Sequence, residues 1–72
     1  MSTFYITKPS RKDPTSLRIV REFESSDDAL RWATRYIYKD DVKLFIDDQF
    51  GHRIATVEFD YNDPIVTMSK QP

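Results

Sequence analysis

Apolar residues recur along this chain with two different periods. Between Ser25 and Lys39, the residues Ala29, Leu30, Ala33, Tyr36 and Ile37 fall at i, i+1, i+4, i+7 and i+8. That spacing makes one apolar face of an α-helix. Ser25 or Ser26 is placed to cap its first turn, and Asp27 and Asp28 put negative charge at the positive end of the helix dipole. Arg31, Arg35 and Lys39 form a basic row on the opposite flank, with Trp32 on the border between row and core.

The remaining segments alternate with the two-residue period of strands. Thr3 to Lys8 and Leu17 to Glu24 precede the helix. Pro9 to Ser16 joins them, and its prolines and small polar residues predict an exposed loop. Val42 to Asp47 and Arg53 to Tyr61 follow the helix. A turn containing Gly51 separates them, and the sole glycine of the chain points to a positive φ there. Asn62 to Pro64 predicts a further turn, and Ile65 to Met68 is β-branched enough for a short edge strand. Residues 1–2 and 69–72 are expected to fray.

The expected fold is therefore α+β, in the order β-β-α-β-β with four strands, or five if Ile65 to Met68 joins. One helix lies across one face of an antiparallel sheet. The periods assign the core to Phe4, Ile6, Leu17, Ile19, Phe23, Ala29, Leu30, Ala33, Tyr36, Ile37, Val42, Leu44, Ile46, Ala55, Val57 and Phe59.

Length adds one constraint. A chain of 72 residues makes a single domain, and one of this size buries only about 60% of the surface its unfolded form exposes. The chain has no cysteine, which removes disulfides, thiolate chemistry and the usual zinc-ligand sets. Met1 to Lys8 has neither a long apolar run nor a basic leader, and no window has the length of a membrane span. A cytoplasmic protein is expected.

Catalytic chemistry finds little support in the residues. His52 is the only histidine, beside the turn glycine and without a partner constellation. Asp27-Asp28, Asp40-Asp41 and Asp47-Asp48 are adjacent pairs, and neighbours on a strand point to opposite faces. Asp47 to Gly51 lacks the alternating oxygens of a calcium loop. Neither an enzyme, a metal nor a cofactor is expected.

Two surfaces remain. The sheet face away from the helix gathers Tyr5, Val20, Phe45 and Ile54 among Arg18 and Lys43, an apolar patch rimmed by charge that suits a partner protein. The alternative is the basic-aromatic helix flank of Arg31, Trp32, Arg35, Tyr38 and Lys39, with Lys8, Arg11 and Lys12 nearby. Arginine with aromatic rings suits single-stranded nucleic acid. The net charge of −1 is not that of a polyanion binder, yet residues 1–24 carry five basic and three acidic groups. Whether the domain is a monomer or a homodimer stays open at this level.

The segments Ser25-x-x-Asp28-Ala29-x-x-Trp32-Ala33 and Ile46-Asp47-Asp48-x-x-Gly51-x-x-x-Ala55-x-Val57 resemble short uncharacterised bacterial domains of β-β-α-β-β type. The layout is also similar to that of certain small phage-encoded anti-CRISPR inhibitors. The resemblance implies a compact, non-enzymatic protein that blocks a host nucleoprotein complex by occupying its surface. Its motifs are signals for a capped helix and a hairpin, and no family's site residues carry over.

Overall fold

A computed structural model describes residues 2–10, 12–13, 15–40, 43–60 and 63–69. It contains strands β1 (Phe4–Pro9) and β2 (Leu17–Phe23), helix α1 (Ser26–Asp40), and strands β3 (Leu44–Asp48), β4 (Arg53–Asp60) and β5 (Asp63–Met68). The five strands form one antiparallel sheet in the order β2-β1-β3-β4-β5, with α1 packed on one face. The fold is α+β, and the short fifth strand belongs to it. β5 begins at Asp63, inside the expected turn, and Pro64 is tolerated because an edge strand needs no donor on its outer side.

Local chemistry sets the ends of the elements. Ser25 caps α1: its carbonyl accepts from the Ala29 amide at 3.1 Å and its hydroxyl from the Asp28 amide at 3.4 Å. The turn between β3 and β4 closes on Asp48, whose Oδ1 accepts from the amides of Phe50 at 2.9 Å and His52 at 2.8 Å. Gly51 follows with φ +84° and no atom within 4 Å of where a Cβ would sit. In the loop between β1 and β2, the Thr15 hydroxyl and amide hold the Asp13 carboxyl below its ordinary 3.8. That contribution is present above the unfolded pKa and is lost as pH falls through the folded one.

Among the described residues, eight apolar side chains are wholly buried: Ile6, Ala29, Ala33, Ile37, Leu44, Ile46, Ala55 and Val57. Ala29 and Ala33 let α1 lie close on the sheet, while Ile6, Ile37, Leu44, Ile46 and Val57 fill the volume between. Phe4, Phe23, Leu30, Tyr36 and Phe59 pack around them half-buried. Leu17 and Ile19 do not join this core, being 43% and 62% exposed. The reason is a β-bulge. Ile6 pairs with Arg21 but Thr7 pairs with Ile19, so Val20 is an extra residue. The phase of β2 shifts there, turning Leu17 and Ile19 to the outer face while Val20 packs against the core.

A second bulge lies in β4. Ile46 pairs with Ala55 and Asp47 with Arg53, leaving Ile54 as the extra residue, and Ile54 also packs against the core. The Ser69 amide donates to the Ile54 carbonyl at 3.0 Å. Arg11, Pro14, Asp41, Val42, Tyr61 and Asn62 lie outside the described residues, as do Met1 and residues 70–72.

Two stability measurements check this core. In urea denaturation, Ile46→Ala should cost about 2–5 kcal/mol, whereas Ile19→Ala should stay within about 0.5 kcal/mol. Gly51→Ala should cost about 1–2 kcal/mol, from backbone conformation alone, because the site has room for the methyl group.

Candidate interaction surfaces

Strand register places the outer-face side chains in rows. One row crosses all five strands: Ile19 on β2, Thr7 on β1, Phe45 on β3, Thr56 on β4 and Thr67 on β5. Its neighbour runs through Glu22, Tyr5, Asp47 and Arg53. Leu17 and Ile65 lie on the far side of the first row, opposite Pro9 and Glu58 respectively. Among the described residues, no element covers this face.

Its centre is closed by its own side chains. The Arg53 guanidinium lies 3.7 Å from the Phe45 ring centroid, and its Nε donates to Asp47 Oδ1 at 3.2 Å. Thr7, 6% exposed, donates its hydroxyl to Asp47 Oδ2 at 3.3 Å. Lys43 and Glu58 form a half-exposed pair at 3.4 Å, an interaction of small value in water. The apolar surface left open is peripheral: Leu17 and Ile19 at one side and Ile65, 44% exposed, at the other.

Tyr5, Lys43 and Phe45 therefore share the outer side, as their positions in the sequence suggest. Val20 and Ile54 do not reach it, because each is the extra residue of a bulge and packs against the core. Arg18 is also turned away: it pairs with Lys8, on the helix side of the sheet. Lys8 itself donates to the Tyr36 hydroxyl of α1 at 3.2 Å.

The flank between α1 and β2 is built on a run of rings. Trp32 stacks on Tyr36 with centroids 4.7 Å apart and planes 15° apart, and Phe23 tilts against Trp32 at 6.2 Å. Arg21 lies 5.7 Å from the Trp32 centroid and 5.8 Å from that of Phe23. Lys8 lies 5.4 Å from the Tyr36 ring. Such cation–π contacts draw each cation toward its ring, by about 0.5–1 kcal/mol at exposed sites. Arg31 and Arg35 stand beside the rings, lining a cleft of about 240 Å³ with Phe23, Asp28 and Trp32. A second recess, of about 300 Å³, is lined by Lys8, Pro9, Ser10, Lys12 and Arg18. Tyr38 and Lys39 occupy the end of α1, but their side chains lie outside the described residues.

None of Lys8, Lys12, Arg18, Arg21, Arg31 and Arg35 forms an ion pair with a carboxylate among the described residues. Trp32, in contrast, has its ring occupied by Tyr36 and Arg21. The rings thus hold the flank together, and the cations are what it offers to a ligand. Arg21 was the residue least visible in this role, since the apparent phase of β2 sets it on an apolar face between Ile19 and Phe23. The signal was that interruption itself.

Among the described residues, the other polar groups build no further site. His52 is exposed, with Nδ1 3.7 Å from Asp48 Oδ2 in the turn. Among the described residues, no three His, Cys, Asp or Glu side chains are grouped to hold a metal ion, and no helix is long and apolar enough to cross a membrane. No protein-family model, curated protein or solved structure matches the chain.

The division between rings and cations is measurable. Trp32→Ala should destabilise the domain by about 2–3 kcal/mol, below the value for a fully buried aromatic, while Arg31→Ala and Arg35→Ala should each stay within about 0.5 kcal/mol in the same denaturation assay.

Proposed function

We propose that the protein is a small non-enzymatic binding module that docks another protein on the outer face of its sheet. The observation that carries this reading is the uncovered five-strand face, where Leu17, Ile19 and Ile65 are exposed around Tyr5 and Phe45. Exposed apolar groups interspersed with charged and hydrogen-bonded side chains are the make-up of protein interfaces. Phe45 and Arg53 already pack against each other, and such prior contact lowers the entropy lost on association. An inhibitor that occupies the surface of a host defence nucleoprotein complex, as in the small phage proteins the layout resembles, is one role such a surface serves. A cytoplasmic setting belongs to the same proposal and agrees with a chain free of cysteine.

A second reading is supported by the cations of the α1–β2 flank, namely single-stranded nucleic acid held through its phosphates. The occupied ring of Trp32 argues against base stacking there. Under this reading, affinity for a thymidine oligonucleotide falls steeply with salt, by a log–log slope of about −0.7 per phosphate contacted. The emission of Trp32, the only tryptophan, stays unquenched.

The deciding experiment starts with affinity capture from the native host and identification of the bound protein. Affinity of that partner is then measured for Ile19→Glu, Ile65→Glu and Tyr5→Ala, with Thr34→Ala on α1 as control. The sheet-face reading predicts losses on the order of tenfold or more for the three variants and none for the control. Full affinity across all three would remove the outer face as the working surface.

A further inference from the structure

The two edges of the sheet differ in kind. β5 carries Pro64, which has no amide hydrogen, and no basic residue. β2 pairs with β1 alone, leaving its second row of backbone groups along Leu17–Phe23 without a strand among the described residues. Natural edges are blunted by charge or by bulges, and β2 has both. Both edges expose apolar side chains, Leu17 and Ile19 on β2 at 43% and 62% and Ile65, Val66 and Met68 on β5 at 44%, 39% and 58%, so what separates them is the proline of β5 and the cations of β2.

The bulge at Val20 sorts what β2 displays. Leu17 and Ile19 face the outer side, while Arg18 and Arg21 face the α1 side. Neither arginine has a carboxylate partner among the described residues, and Lys8 and Lys12 add unpaired charge next to Arg18. The acidic residues of this region, Glu22 and Glu24, lie at the Phe23 end, around a separate recess with Asp28.

We propose that β2 receives an extended segment of a partner protein as a sixth strand, one in which acidic and apolar residues alternate. Backbone hydrogen bonds along the edge supply affinity that does not depend on sequence, and alternate side chains supply selection. The partner's acids meet Arg18 and Arg21 on one face, and its apolar residues extend the Leu17 and Ile19 surface on the other. A second copy of β2 is the poorer occupant, because the antiparallel registers that set Arg18 against Arg18 or Arg21 put like charges across the strand pair. A nucleic acid would use the cations but neither the backbone edge nor the aliphatic pair. The proposal rests on the protein-binding reading and names the chemistry of the bound segment.

The test uses the isotopically labelled full chain with three probes: a short peptide alternating valine with glutamate, its counterpart with lysine, and a thymidine oligonucleotide. The glutamate peptide should shift the amide resonances of Leu17–Phe23 and slow their hydrogen exchange, and the lysine peptide should not. Arg18→Glu with Arg21→Glu should weaken the glutamate peptide on the order of tenfold and favour the lysine peptide. Arg18→Gln with Arg21→Gln serves should the double reversal unfold the chain, and predicts loss of preference between the two peptides.

Equal response to the two peptides, or shifts centred on β5, would overturn the proposal. So would an oligonucleotide response at β2 with none from either peptide, which would assign the cations to phosphate instead. A captured partner that ignores the β2 variants but is lost by Tyr5→Ala and Ile65→Glu would remove the edge proposal and leave the sheet-face reading standing.

Discussion

One helix covers one face of a sheet, and every exposed surface of this domain follows from that limit. A helix of 15 residues is about 22 Å long, comparable with the spread of five strands spaced at about 4.8 Å. It is enough to seal the eight-residue core and no more. The alanines at 29 and 33 set α1 close to the sheet, and the large aliphatics of β1, β3 and β4 fill the space beneath it. At the β2 side the aliphatic filling gives way to Phe23, Trp32 and Tyr36, with Arg21 and Lys8 laid against the rings. The outer face is left to close itself by threonines, by Arg53 over Phe45 and by Asp47.

Much of this fold is legible in the sequence because its signals are local. The 3.6-residue period of Ala29, Ala33 and Ile37, the Ser25 cap, and the lone glycine of the β3–β4 turn each report on their immediate neighbours, and each lies where its pattern puts it. Leu44, Ile46, Ala55 and Val57 are also read correctly, because their strands keep one phase over those positions. The bulges are different. A period-two pattern with one residue inserted is still a pattern of alternating residues, and only the partner strand reveals the shift. Hence Leu17 and Ile19 look like core, Arg18 looks like outer face, and Val20 and Ile54 look like binding residues.

Of the outer-face positions singled out from sequence, Tyr5, Lys43 and Phe45 keep their place because they lie clear of either bulge. On the helix flank, Arg31, Trp32 and Arg35 are neighbours because helical spacing alone guarantees it. The contributions of Arg21, Lys8 and Arg18 to the same flank come from the sheet, across a pairing that no local pattern encodes. The strongest local contradiction, an arginine amid apolar positions of β2, marks the strand where local and tertiary structure diverge, as expected where a chain departs from internal consistency.

The central position of β3 has a consequence in time. β1 and β2 are adjacent in the chain and form a hairpin, but β1 also pairs with β3, so that Thr7 meets Asp47 from forty residues away. During synthesis at about 5–20 residues per second, that interval lasts roughly 2–8 s. Within it β2 is complete only at residue 23 and α1 at residue 40, so before β3 is made the hairpin's inner face, with Ile6 and Phe4, has at most α1 to shelter it. Of the three strands on this side of the sheet, the one that closes against β1 is thus the last to be made.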